Sequence, residues 1–277
     1  MTLLEVNDLS VRFGRRQAVA VRDVNFTIAP AQRLGLIGES GSGKTVLALT
    51  LMGLLPYNAS VSGRVVINGT PALQLDERSY AKLRGDVVSM VFQEPMTALD
   101  PTMRVGRQVA EVLLLHSRHQ GGHSREDVVA MFKKVGLDDA ERIADAYPHQ
   151  LSGGQRQRVC IAMALINSPS LVICDEPTTA LDVTMQATVL QLLNEVLDAT
   201  GVACLFISHD LAVISQVCDE VMVMLDGAIV EKGSVERIFS NPQHPYTQGL
   251  VATSRIDQVE PGQRLPTVQD FFKGSKK

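Results

Sequence analysis

Polar and apolar residues alternate in two segments near the start of the chain, LEVNDLSVRF and VRDVNFTI. Such alternation is typical of strands with one buried face. Other segments are short and almost wholly apolar, and these are RLGLIG, VVSMVF, LVICDEP and VACLFISHD. Uninterrupted apolar runs of this length are typical of strands buried on both faces of a parallel sheet. Together the two patterns predict an α/β fold.

Apolar residues take helical spacing in TVLALTLMGLL, which follows the first apolar run, and again between residues 94 and 150. In that second region VGRQVAEVLLLHSR, REDVVAMFKKVGL and DAERIADAYP are separated by polar breaks, of which GGHS at 121–124 is the clearest. Apolar strands are predicted on both sides of it. We therefore predict a helical subdomain, at about residues 94–158, inserted into the α/β core.

Turn signals and composition divide the rest of the chain. SGRVVING predicts a strand closed by the Asn-Gly pair at 68–69, and VMVMLDGAIVEKG predicts a hairpin with Asp-Gly at 226–227 as its tip. From about residue 236 the chain is richer in Pro, Gln and Gly. We predict a main domain at residues 1–235 and an extension at 236–277 that lies outside the core.

The composition limits the classes of partner. The chain has 277 residues, with 26 basic and 30 acidic residues and a net charge of −4, so we expect no nucleic-acid partner. No apolar run approaches the ~18–20 residues that span a bilayer, and MTLLEVNDLS lacks the features of a signal peptide. The cysteines lie in apolar segments without CxxC spacing, which predicts reduced, buried thiols in a cytosolic protein, at Cys160, Cys174, Cys204 and Cys218.

The segment GESGSGKT at 38–45, here named the P-loop, has the spacing GxxxxGK[ST] between a predicted strand and a predicted helix. Glycines let the backbone wrap closely, so that consecutive N–H groups can point at a β-phosphate. Lys44 can place its charge on the β- and γ-phosphate oxygens, and the Thr45 hydroxyl can ligate Mg²⁺. The pattern predicts an NTPase whose nucleotide contacts are Gly38, Ser40, Gly41, Ser42, Gly43, Lys44, Thr45 and Val46.

Two acids end the apolar strand LVICDEP. Asp175 can hold Mg²⁺ through water, and Glu176 can polarise an attacking water. A solvated acidic turn is the alternative for these two residues taken alone. With the P-loop upstream, we predict that they serve hydrolysis.

With these residues and the stretch LSGGQRQR, the chain resembles the nucleotide-binding subunit of an ABC transporter over about residues 3–235. The resemblance rests on six motifs in order: GESGSGKT, FQEP, LSGGQ, ICDEP, TALD and ISHD. It implies a P-loop NTPase core of ABC type with an antiparallel β subdomain, an inserted helical subdomain and a short C-terminal extension. It also implies that the chain binds ATP and Mg²⁺ and hydrolyses the ATP.

In this family two chains sandwich ATP head to tail, and the LSGGQ helix of one closes on the γ-phosphate held by the P-loop of the other. The resemblance gives that role in trans to Ser152, Gly153, Gly154 and Gln155. Ser152 is also a residue type that suits the N-cap of a helix.

The resemblance assigns four further roles. Gln93 in VFQEP would meet Mg²⁺ and sense the attached membrane subunit, and His209 in FISHD would contact the γ-phosphate and orient Glu176. Asp182 in TALD would link one active site to the other. Phe13 in SVRF stands where the family stacks an aromatic ring on adenine, and core packing is a serious alternative for it.

Three further segments indicate which group of ABC transporter subunits the chain resembles. EPMTALDPTMRVGRQVAEVL, YPHQLSGGQRQR and NPQHPYTQGL are similar to segments of peptide and nickel importers. This implies an ATPase that powers uptake of di- or oligopeptides from the cytoplasmic face of a bacterial membrane, as a peripheral subunit. The implied partners are a second ABC ATPase subunit in a heterodimer, two transmembrane permease subunits and an extracytoplasmic solute-binding protein. The alternatives are the same role in a nickel or metal-chelate importer, or a soluble ABC ATPase of iron–sulfur assembly.

One departure from the family pattern concerns the tail. Many peptide-importer ATPases have a cysteine-rich tail that can hold an iron–sulfur cluster, whereas no cysteine follows Cys218 in this sequence. We therefore expect no such cluster. Short tails also occur in nickel and metallophore importers, so the tail leaves the substrate open.

Overall fold

The computed structural model describes residues 2–116, 125–179, 181–254 and 271, so the predicted break at 121–124 lies outside the described residues. The strands are β1 (Leu4–Phe13), β2 (Ala18–Ile28), β3 (Arg33–Ile37), β4 (Ala59–Ile67), β5 (Thr70–Pro71), β6 (Val88–Val91), β7 (Leu171–Asp175), β8 (Ala203–Ser208), β9 (Glu220–Leu225) and β10 (Ala228–Ser234). The helices are α1 (Lys44–Leu51), α2 (Glu77–Leu83), α3 (Pro95–Ala98), α4 (Val105–Leu115), α5 (Arg125–Lys134), α6 (Ala140–Ala144), α7 (Gly153–Leu165), α8 (Val183–Thr200), α9 (Leu211–Val217), α10 (Val235–Ser240) and α11 (Pro245–Ser254).

The segments with alternating polarity form an antiparallel sheet of four strands in the order β2-β1-β4-β5. On β1 the buried residues Leu4 and Val6 are followed by Leu9 and Val11, so the alternation shifts by one residue. The shift coincides with an irregularity in the pairing with β4 and with a φ of +48° at Asp8. A bulge of this kind keeps both halves of the apolar pattern on one face.

The apolar runs form a second sheet of six strands in the order β10-β9-β3-β8-β7-β6. Its strands are parallel from β9 to β6, and β10 pairs antiparallel with β9. The register pairs Ile37 with Ser208 and Asp175 with Ile207, so β3, β8 and β7 end side by side. Ligands of open parallel sheets bind outside these carboxyl ends.

Both faces of the parallel sheet are covered, which is why its strands are apolar without alternation. Leu171 and Ile173 pack in a core with α1 and the antiparallel sheet, whereas Val172 and Cys174 face a larger helical core on the other side. The four cysteines are buried and free. The predicted α/β class, antiparallel subdomain and helical insertion are confirmed by these two sheets and by the run of helices α3–α7 between β6 and β7. The bounds 94–158 stay a prediction.

The extension departs from the prediction that it lies outside the core. Ile238 of α10 and Tyr246 and Val251 of α11 are buried in the large helical core. The apolar residues of α11 recur at Tyr246, Leu250 and Val251, a helical spacing, but Gly and Gln between them dilute the pattern. The prediction was wrong on this point because a segment rich in Pro, Gln and Gly can still present an apolar helix face that packs into the core. The division at residue 235 stays a prediction.

Candidate active site

The P-loop lies between β3 and α1, at the carboxyl edge of the parallel sheet. A Cβ on Gly38 would collide with the Met224 carbonyl and lie 2.7 Å from Oγ of Ser42. Gly43 has a φ of +107° and stands at the N-cap of α1, where it offers no side-chain cap. The first backbone N–H groups of α1 are therefore left for an outside acceptor, and the N-terminus of a helix favours anions.

Lys44 lies under this loop with only 5% of its side chain exposed. Its Nζ donates to the carbonyl oxygens of Gly38, at 2.7 Å, and Glu39, at 3.0 Å. Burial lowers the pKa of Lys44, although the nearby carboxylates of Glu176 and Asp175 act in the opposite direction. The loop thus holds a partly desolvated cation, which suits recognition of phosphate oxygens.

Asp175 ends β7 and is 2% exposed. Burial raises its pKa, against the lowering effect of a hydrogen bond with the Thr45 side chain. Its Oδ1 has no hydrogen-bond partner among the described residues, although buried polar atoms nearly always have one. A buried carboxylate oxygen without a partner beside a hydroxyl fits a hard divalent cation such as Mg²⁺.

Side chains from three loops meet at Glu176. Its Oε2 accepts a hydrogen bond from Nε2 of Gln93 at 3.2 Å and one from Oγ1 of Thr179 at 2.9 Å, and it lies 3.1 Å from Nδ1 of His209. The Glu176 N–H donates to the carbonyl of Ile207 on β8, and its φ is +47°. The sequence prediction missed Thr179, for which the only signal was its place three residues after Glu176.

A cavity of about 600 Å³ joins these groups. Of the predicted residues it brings together Ser40, Gly41, Gly43, Lys44, Thr45, Val46, Gln93, Glu176 and His209. Ala20, Glu39 and Leu250 line it too, and the sequence prediction did not include them. Gly38, Ser42 and Asp175, which were also predicted, are not among the lining residues.

Phe13 does not line this cavity among the described residues. It ends β1, is half-buried, and packs against the core under the antiparallel sheet. The packing alternative is therefore observed, and stacking on adenine stays a prediction.

The LSGGQ stretch forms the start of α7, away from the lining of the cavity. The Ser152 side chain accepts from the Gln155 N–H at 3.2 Å, and the Gln155 side chain accepts from the Ser152 N–H at 3.0 Å. This reciprocal cap fixes the start of the helix and leaves Ser152 and Gly153 exposed. Gly154 is buried, and a Cβ there would overlap the methyl group of Met185.

Asp182 is the N-cap of α8. Its carboxylate accepts from the Met185 N–H at 2.9 Å, and its side chain remains exposed. The same Met185 covers Gly154, so the Asp182 cap and the LSGGQ turn pack against each other. The structure thus joins these two motifs on a surface separate from the cavity.

Comparison with known proteins agrees with this arrangement. The sequence profile described as ABC transporter matches residues 21–179. The chain is 47% identical to the oligopeptide transport ATP-binding protein OppD of Salmonella typhimurium, over 92% of this chain and 77% of that protein. It is 46% identical to the dipeptide transport ATP-binding protein DppD of Lactococcus lactis, over 90% and 72%. It is also 48% identical to the peptidoglycan transport protein YejF of Agrobacterium fabrum, of which it spans 46%.

Solved structures support the same conclusion for the fold. The dimeric, ADP- and phosphate-bound ATP-binding cassette MJ0796 matches with a TM-score of 0.73 and 28% identity, over 84% of this chain and 98% of that one. The protein cbiO1 of Clostridium perfringens matches with a TM-score of 0.75 and 26% identity, over 87% and 91%. The predicted ABC-type fold and ATPase activity are therefore confirmed. The chain belongs to the ABC transporter family and carries the family's ATP-hydrolysing cassette.

Proposed function

We propose that the chain is the ATP-hydrolysing subunit of a bacterial importer of di- or oligopeptides. The assignment of the substrate class rests on a sequence identity of 46–47% to ATPases named for oligopeptide and dipeptide transport, over nine-tenths of this chain. The active-site geometry supports the ATPase part of the proposal, because the P-loop, Gln93, Glu176 and His209 converge on one cavity.

The P-loop and Lys44 bind the β- and γ-phosphates of ATP in this proposal. The Lys44 ammonium is oriented by two carbonyls before the nucleotide arrives, so little reorganisation is needed when phosphate oxygens replace water. Thr45, Asp175 and Gln93 would hold Mg²⁺, which would supply positive charge to the phosphate oxygens. The partnerless Oδ1 of Asp175 supports this assignment.

Glu176 orients the attacking water. Three neighbours hold its Oε2, which fixes the plane of the carboxylate, and Oε1 lies 3.9 Å from Nζ of Lys44 on the side of the phosphates. Oε1 can then accept a hydrogen bond from the water that attacks the γ-phosphorus. His209, half exposed at the rim, can contact the γ-phosphate and hold Glu176 at once.

The second half of the nucleotide sandwich comes from a partner ATPase chain. Ser152, Gly153, Gly154 and Gln155 would close on the γ-phosphate held by the partner, and Asp182 would couple the two sites. The exposed, capped N-terminus of α7 supports this role, since it can offer N–H groups to an anion but does not line this chain's own cavity. We propose a heterodimer with a second complete cassette.

An apolar groove beside Gln93 would receive a helix of a permease subunit. The groove has a volume of about 250 Å³, and Leu54 and Phe92, which line it, are 40% and 39% exposed. Phe92 precedes Gln93 directly, so a helix in the groove would act on a residue that contacts Glu176.

Within the described residues no helix combines the length and apolar character needed to cross a bilayer. The chain would thus be held at the cytoplasmic face by two permease subunits and act on cargo delivered by an external binding protein.

Reconstitution tests the proposal. Proteoliposomes that contain the chain, the second ATPase and both permease subunits should take up radiolabelled tri-alanine when the solute-binding protein and ATP are supplied on their proper sides. The Glu176→Gln protein is the matched control and should support no uptake. Uptake of a labelled Ni²⁺–histidine complex without tri-alanine would refute the peptide class, and failure to assemble with any permease would refute the transporter role.

A further inference from the structure

The hydroxyl of Tyr246, in the stretch His-Pro-Tyr-Thr, contacts the P-loop. It accepts a hydrogen bond from the backbone N–H of Glu39, with 2.8 Å between nitrogen and oxygen, although 207 residues separate the two positions. Tyr246 is 1% exposed and belongs to the large helical core. The extension therefore reaches the nucleotide site through a buried, rigid side chain.

The same peptide unit is held from its other side by Lys44. The carbonyl of Gly38 and the N–H of Glu39 belong to one peptide group, and its C=O accepts from Nζ of Lys44 at 2.7 Å. All described peptide bonds are trans, so the C=O and N–H point in opposite directions. Tyr246 and Lys44 thus bind the two ends of one planar group.

The position of Tyr246 is itself fixed from outside the P-loop. The Glu231 carboxylate on β10 accepts from the N–H groups of Gln243, at 2.8 Å, and His244, at 2.9 Å. Nδ1 of His244 accepts from the Tyr246 N–H at 3.2 Å, at the start of α11. One turn further along this helix, Leu250 lines the nucleotide cavity.

We propose that Tyr246 is a positioning residue for nucleotide binding: it fixes the Gly38–Glu39 peptide so that Lys44 points at the β- and γ-phosphates. The inference rests on the proposed contact of Lys44 with these phosphates. Burial raises the pKa of Tyr246 to about 12, so its hydroxyl is un-ionised near neutral pH and can accept the Glu39 N–H without adding a negative charge to the site. Without the hydroxyl, the peptide can rotate and the Lys44 ammonium loses a fixed acceptor.

The competing explanation is that Tyr246 only fills the core. Tyr246→Phe separates the two, because it keeps the ring and removes the hydroxyl. In the full chain we expect the dissociation constants of ATP and ADP to rise by about two- to tenfold, the range that one net hydrogen bond corresponds to. The dissociation constant of AMP, which lacks the β- and γ-phosphates, should not change.

Tyr80→Phe is the matched control. The Tyr80 hydroxyl is also buried and donates to a backbone carbonyl, that of Leu51 at 2.9 Å, and burial raises its pKa to about 12 as well. Leu51 is at the opposite end of α1 from Lys44. Tyr80→Phe should lower the thermal stability of the chain and leave the affinities for ATP, ADP and AMP unchanged.

The decisive measurement repeats Tyr246→Phe in a Lys44→Ala background, with ADP titrated by calorimetry. If the hydroxyl acts through Lys44, the second substitution should add nothing to the first. Equal loss of ATP and AMP affinity, or an undiminished effect in the Lys44→Ala background, would overturn the inference. If the affinity for ATP is unchanged in Tyr246→Phe but falls in Lys44→Ala, the inference about Tyr246 is overturned and the proposed function still stands. Unchanged affinity in Lys44→Ala would overturn the phosphate-binding assignment and the inference with it.

Discussion

Nδ1 of His209 lies 3.1 Å from Oε2 of Glu176, across 33 residues of sequence. The two side chains meet because β7 and β8 are neighbours in the parallel sheet and end side by side. Gln93 and Thr179 donate to the same oxygen. The carboxylate is thereby oriented by side chains from its own loop and from two others.

Glu176→Gln should abolish turnover and spare binding. The amide keeps the shape of the side chain but cannot take a proton from water, so we expect turnover to fall by several orders of magnitude, a barrier increase of roughly 4 kcal/mol or more. ATP affinity should stay within about threefold of the unsubstituted chain, because Lys44 and the P-loop are intact. Phosphate release by the assembled transporter and equilibrium titration with ATP measure the two quantities. Near-normal phosphate release would disprove the role of Glu176.

Asp175→Asn should stabilise the nucleotide-free chain and remove its Mg²⁺-dependent activity. Burial raises the pKa of Asp175 in the folded state, so the ionised carboxylate lowers the free energy of unfolding at neutral pH. An uncharged asparagine does not have this effect. A gain on the order of 1 kcal/mol would raise Tm by about 2–4 °C.

The sign of the pH dependence checks this explanation. Below the raised folded-state pKa the wild-type carboxyl is protonated in the folded chain, and below its ordinary value it is protonated in the unfolded chain too. The stability advantage of Asp175→Asn should therefore be greatest near neutral pH and shrink on acidification through the folded-state pKa. Thermal unfolding of both proteins as a function of pH measures it. An advantage that grows on acidification would contradict the assignment.

Replacements at Ser152 test whether LSGGQ acts on the partner. Asp and Asn are as good as Ser at an N-cap, so Ser152→Asp and Ser152→Asn should both keep α7. Only the Asp variant places a negative charge where the γ-phosphate of the partner would dock. Each variant is combined with Glu176→Gln. We expect ATP-dependent association with the partner ATPase to be at least about tenfold weaker for Ser152→Asp than for Ser152→Asn. Sedimentation measures association, and ATP titration of the isolated chain should show unchanged affinity. Loss of ATP binding there would mean that LSGGQ acts in cis.

Alanine at Gly43 and Gly41 separates backbone strain from close approach. Both glycines have positive φ, +107° and +84°, so each alanine should cost about 1–2 kcal/mol of unfolding free energy through the backbone alone. A Cβ on Gly43 would also collide with the carbonyl of Ala20, whereas a Cβ on Gly41 meets no atom within 4 Å. We expect Gly43→Ala to cost at least about 1 kcal/mol more than Gly41→Ala. Denaturant unfolding of the nucleotide-free proteins measures the difference, and equal costs would show that the loop relaxes away from Ala20.

Local sequence determined the elements and the identity of the phosphate site. Strand and helix periods are properties of neighbouring residues, so β1, the buried strands and α4 could be predicted from spacing alone. The P-loop could likewise be predicted from local sequence, because a strand, glycines and Lys44 follow one another within a dozen residues. The bulge at Asp8 was visible only as a one-residue break in the alternation of β1.

Tertiary structure alone decided which distant groups share one atom. Gln93 and His209 meet at Glu176 because the strand order is β10-β9-β3-β8-β7-β6, and no local pattern encodes the order of strands in a sheet. The contact between Tyr246 and Glu39 could not be predicted from the sequence for the same reason. Its stretch marked a family by sequence, but the hydrogen bond to Glu39 depends on α11 packing into a core built by residues far away in the chain. Burial strengthens the contact between Tyr246 and Glu39, because a hydrogen bond shielded from water has no solvent molecule to replace its partner.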